Sequence, residues 1–86
     1  MARCFDHTRR AGRLEAIAAY EAELAAILNG TWPRDVNDDM RWGSGRTFYD
    51  RAQKAAYVRG CLENHLTYLR AIPARIAAGE LPGWEA

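Results

Sequence analysis

Apolar residues recur at intervals of three and four in two long stretches of this chain, and the segment between them has no such rhythm. In the first stretch the strong apolar positions are Leu14, Ile17, Leu24 and Leu28, set among alanines. That spacing and composition predict a helix over about 8–28, ended by Asn29-Gly30, a pair suited to the left-handed turn that stops helices. The step missing from the stripe falls on Glu21, and one step back from Leu14 falls Arg10, so two charges lie on the face expected to pack.

The second stretch reads Phe48, Arg51, Ala55, Val58, Leu62, His65, Leu69, Ile72 in unbroken steps of three and four, a heptad-like seam. It predicts a helix over about 47–72, stopped by Pro73. A short helix over 74–78 is expected next, ending at Gly79, followed by a tail over 79–86 that carries Trp84. The pattern is therefore all-α: an antiparallel hairpin of two long helices, a long connecting loop over 29–46, a short C-terminal helix and a tail. A fold point near residues 37 and 38 sets Leu24 opposite Arg51, Ile17 opposite Val58 and Arg10 opposite His65, with Glu21 and Arg51 as partners across the seam.

Two features of the connector resemble ligand sites and each reads better as local structure. Gly43-Ser44-Gly45 before Arg46 suggests an anion cradle, but no strand precedes it and no P-loop lysine follows. Thr47 and Asp50 fit a capping box, so the glycines mark a turn. Asp35, Asn37 and Asp39 imitate half a calcium loop, yet Met40 and Arg46 stand where glycine and glutamate are required.

Composition narrows the function. Eighty-six residues make one domain, 1–86, with a modest core that an oligomer or a metal would help. Twelve basic residues against eleven acidic ones leave a net charge of +1, which argues against a grip on nucleic acid by the whole surface. Eleven of the twelve are arginine, a type suited to planar recognition of carboxylate or phosphate. No apolar run is long enough to span a bilayer and no secretory leader is recognised, so the expected location is cytoplasmic, with no membrane partner.

The remaining candidates are surfaces and one metal constellation. Trp32 and Trp42, with Arg34 and Arg41 beside them, bracket the acidic part of the connector and are types that anchor interfaces. Away from the seam, the second helix carries Tyr49, Gln53, Tyr57, Gly60, Cys61, Asn64 and Tyr68, where an idle solvent face would carry Glu and Lys. Such a face suits a partner protein or a second copy, the latter giving a four-helix bundle. Arg3, Arg9, Arg10 and Arg13 crowd the start of the first helix, against its dipole, and form an end suited to phosphates or an acidic protein surface. Cys4-x-x-His7 and Cys61-x-x-x-His65 have spacings at which zinc is bound; the expected cofactor is none, with zinc on Cys4, His7, Cys61 and His65 as the alternative.

With no nucleophile, base and orienting group in evidence, the function expected is non-enzymatic: a small inhibitor or adaptor of the phage or mobile-element kind. It would dock on a larger protein or protein–nucleic acid complex, with a homodimer possible. The second reading is a nucleic-acid or nucleotide binder using the arginine end, and the third a zinc-stapled module.

Overall fold

A computed structural model describes residues 5–32 and 51–86, and among them it contains two helices and no strand. Helix α1 is Arg10–Leu28 and helix α2 is Arg51–Ala77. They pack antiparallel. Ala16, early in α1, shares a cluster with Leu69 and Ile72, late in α2, whereas Leu24 and Ile27 pack against Val58 and Leu62 near its start. Trp32 closes the first cluster beyond the end of α1; Phe5, Leu81 and Trp84 close the second. Trp84 is thus docked on the hairpin.

Both helices end in the same way. Gly30 has φ 79°, its N–H bonds the Ile27 carbonyl at 3.3 Å, and the Thr31 N–H bonds the Ala26 carbonyl at 2.9 Å. Gly79, also at φ 79°, repeats the pattern, its N–H on Ile76 and the Glu80 N–H on Arg75, both at 3.0 Å. Each is a Schellman motif, in which a left-handed residue turns two N–H groups back onto otherwise orphaned carbonyls.

The start of α1 is built differently. Arg9 holds the cap position in extended conformation and offers no side-chain bond. Instead, one carboxylate oxygen of Asp6 accepts from the Thr8 N–H at 3.0 Å and its hydroxyl at 2.6 Å, and the Asp6 carbonyl accepts from the Arg9 N–H. These bonds fold residues 6–9 into a turn that crosses the first coil of α1 closely. Only glycine fits beneath it: a Cβ on Gly12 would stand 2.1 Å from the Asp6 carbonyl oxygen.

The sequence pattern misplaces three things. Pro73 does not stop the second helix, and the expected separate helix over 74–78 is its continuation. Proline removes only the N–H directed at the Leu69 carbonyl. The turn beyond it consists of good helix formers, and Ile72 and Ile76, on either side, both pack into the second cluster. Burying that extra turn outweighs the proline.

The buried face of α1 is also rotated from the expected stripe. Leu14 and Leu28 are 54% and 59% exposed, and Arg10 and Glu21 are exposed as well. Inside lie Arg13 and Ala16, with Ile17, Tyr20, Leu24 and Ile27 half-buried beside them. Ala16 lets α2 approach closely, and Tyr20 stacks on His65, ring centroids 5.5 Å apart. A stripe traced through the largest aliphatics passes over both.

The register moves with it. His65 faces Tyr20 where Arg10 was expected, and Glu21 bonds Arg70 at 2.5 Å where Arg51 was expected. Extending α2 past Pro73 supplies the apolar residues that draw the start of α1 further along it. The exposed Glu21–Arg70 pair adds at most about 1 kcal/mol.

Candidate functional site

The start of α1 carries the arginine cluster, and its members separate. Arg9 and Arg10 are exposed. Arg13 is 3% exposed, and its guanidinium donates to the His7 carbonyl at 3.0 Å and to the Glu85 carbonyl. Burying a charged fork is tolerable because two backbone acceptors meet it. Around this clasp the Glu85 N–H bonds the Thr8 carbonyl at 2.7 Å, and the Glu85 carboxylate accepts from the Arg10 backbone N–H at 3.2 Å. A carboxylate therefore sits at the positive end of the α1 dipole, offsetting the arginines there. Arg3 lies outside the described residues.

Across the bundle, Arg75 reaches Glu80 at 3.4 Å and lies 6.0 Å from the centre of the Tyr68 ring. His7 stands 6.4 Å from the same ring. Arg59 pairs with Glu63 one turn along α2 at 3.7 Å. Arg59, Arg70 and Arg75 each pair with an acid, and Arg9 and Arg10 are exposed near Asp6 and Glu85. Hydrogen bonds from Thr8 hold the Asp6 carboxyl below its ordinary value, with Arg9 and His7 adding attraction.

The polar, aromatic face of α2 divides too. Gln53, Asn64 and Tyr68 are exposed, Tyr68 at 43%. Tyr57 and Cys61 are half-buried and pack against the first cluster, so they support the core as well as lining the edge of this face. Gly60 has nothing among the described residues within 4 Å of where a Cβ would sit. Packing within the described chain therefore does not require the glycine, although it costs about 1 kcal/mol relative to alanine in a helix.

Trp32 is a core residue at 3% exposure; Arg34, Arg41, Trp42 and Tyr49 lie outside the described residues. Of the proposed zinc ligands, His65 is stacked on Tyr20 and Cys61 sits against the first cluster, while Cys4 lies outside the described residues. Among the described residues no three His, Cys, Asp or Glu side chains gather closely enough to hold a metal ion. No described helix is long and apolar enough to cross a membrane.

Two features were not foreseen. The clasp of Arg13 on Glu85 had one signal, the surplus positive charge opposing a helix dipole, but its resolution by a residue 72 positions away has no local signature. The outer face of α1, with Ala11, Leu14, Ala18, Ala22, Ala25 and Leu28 all exposed, was concealed by assigning its leucines to the core. The chain matches no family model, no curated protein and no solved structure.

Proposed function

We propose that this protein is a non-enzymatic interaction module that docks through helical surfaces on a larger protein partner, in the manner of a small inhibitor or adaptor. The observation that carries this reading is the breadth of the apolar arc of α1. One face packs on α2, and beside it Leu14, Ala18, Ala25 and Leu28 stay exposed on either side of Glu21. These residues widen the apolar arc of α1 beyond the part that α2 covers, and an apolar arc of a helix is normally buried. Among the described residues no other element covers these side chains, and exposed apolar side chains gathered on one side of a helix mark an interaction surface.

The exposed Gln53, Asn64 and Tyr68 on α2, with open space above Gly60, offer a second face of mixed polar and aromatic character. Such a face suits adaptable hydrogen bonding to a partner or to another copy of the chain. Affinity capture from the native host, with light scattering for oligomeric state, tests the proposal. Wild-type protein should retain a defined protein partner, and the double substitution Leu14→Glu with Leu28→Glu should release it while the helical spectrum is unchanged. Capture of nucleic acid alone would overturn it.

That outcome belongs to the second reading, favoured by the exposed Arg9 and Arg10 at the start of α1. Binding through them would weaken steeply with salt and fail when both become Glu.

A further inference from the structure

Ala11, Leu14, Ala18, Glu21, Ala25 and Leu28 follow one another along α1 in alternating steps of three and four, and all are exposed. That spacing is the seam by which two helices coil on each other. Leu14 and Leu28, the large members of the seam, are 54% and 59% exposed and find no cover among the described residues. Glu21, its one charged member, is drawn toward α2 by the 2.5 Å bond to Arg70.

The seam fits a second copy of itself in one direction. In a parallel pair Glu21 meets Glu21 of the second copy, and the exposed Arg9 and Arg10 of both copies crowd one end, so like charges oppose twice. Turned antiparallel about a midpoint between residues 19 and 20, Leu14 lies opposite Ala25 of the second copy, Ala11 opposite Leu28 and Ala18 opposite Glu21. Each leucine then enters the space that an alanine leaves, and the axes can approach closely. The charges select the same direction. α1 has no acidic residue in its first turn and no basic residue in its last, and the exposed Arg10 stands in the first. Antiparallel pairing sets Arg10 of each copy beside the last turn of the other, the negative end of that helix dipole. We propose that the chain forms a reversible dimer, α1 against α1 and antiparallel, with Leu14 packed on Ala25 and Leu28 on Ala11 of the second copy.

This inference rests on Leu14 and Leu28 being interaction residues, and it makes the second copy a competitor of the larger partner for them. One contact between helices of this length is small for a specific interface, so the dissociation constant should be on the order of 10–100 µM. Sedimentation equilibrium of the full chain from micromolar to millimolar concentration should show a monomer–dimer equilibrium. Leu14→Glu should weaken it at least about tenfold, and Asn64→Glu, on the exposed face of α2, should leave it unchanged. Direction is read by mixing Ala11→Cys chains with isotope-labelled Leu28→Cys chains, both also carrying Cys4→Ser and Cys61→Ala, and oxidising the mixture. Mass spectrometry should find position 11 joined chiefly to position 28. Joining of 11 to 11 and 28 to 28 in its place overturns the inference, as does equal weakening by Asn64→Glu. A chain that stays monomeric at millimolar concentration also overturns it; if Leu14→Glu with Leu28→Glu still releases a captured partner, docking on that partner stands without self-pairing. Should Leu14→Glu lose its helical spectrum, Leu28→Glu at the other exposed leucine takes its place in the comparison.

Discussion

Arg13 holds Glu85 by its backbone: the buried guanidinium donates to a carbonyl 72 positions further along the chain, and with its other arm to the carbonyl of His7. Three segments, the turn before α1, the first coil of α1 and the stretch after α2, are fastened by one side chain. Arg13→Met keeps most of the apolar stem and removes both bonds, leaving two carbonyls without their donor. Urea denaturation should show a loss of about 2–3 kcal/mol. Arg9→Met, at an exposed neighbour, should stay within about 0.5 kcal/mol.

The two helical glycines should respond to alanine with opposite signs. At Gly60 an added methyl meets nothing among the described residues, so Gly60→Ala should stabilise by up to about 1 kcal/mol through helix propensity alone. At Gly12 the methyl would fall 2.1 Å from the Asp6 carbonyl oxygen, forcing the turn over residues 6–9 away. Gly12→Ala should therefore lower the melting temperature despite the same gain in propensity. Thermal unfolding of both variants checks the pair. If Gly60→Ala also weakens partner capture, the open space above it is where a partner approaches.

Leucines identical in composition and opposite in burial give a second contrast. Leu62 is fully buried in the first cluster, and Leu62→Ala should cost about 2–5 kcal/mol. Leu14 is more than half exposed, and Leu14→Ala should cost less than about 1 kcal/mol in the isolated chain. Equal losses would mean that Leu14 is covered in solution, which light scattering at several protein concentrations would reveal as self-association.

Acid should loosen the start of α1 first. The Asp6 carboxyl is held below its ordinary value of 3.8 by the Thr8 N–H and hydroxyl. A depressed pKa means that the unfolded chain binds more protons over the window between the two values, so stability rises with pH there. The contribution is complete above about pH 3.8 and is lost as pH falls through the lower folded value. Thr8→Ala should move the Asp6 titration, followed by NMR, back toward the ordinary value and remove this part of the acid sensitivity.

How much of this was legible depended on how local the cause was. Two helices, the glycine stop of the first and the all-α class follow from neighbouring residues; Gly30 ends α1 as expected, while Gly79, expected to end a separate short helix, ends α2. Pro73 was misjudged because its local cost is opposed by packing of Ile72 and Ile76 against distant residues. The rotation of α1 has a similar origin. Tyr20 and Ala16 are ambiguous alone and become core residues only because His65 and Leu69 lie across from them. Of the candidate surface residues, Gln53, Asn64 and Tyr68 lie on a helical repeat and are exposed. The Arg13 clasp depends on chain segments brought together by the fold.

The bond from the Glu85 N–H to the Thr8 carbonyl brings residues nearly eighty apart in sequence to a single pole of the bundle. The described chain is thus almost a closed ring. A linker of a few residues joining position 86 to position 5 would make it covalently so, and new ends opened between α1 and α2 would produce a circular permutant in which the order of the helices is reversed. In that permutant the present clasp becomes the hairpin connection, and its three segments are held together by the backbone itself.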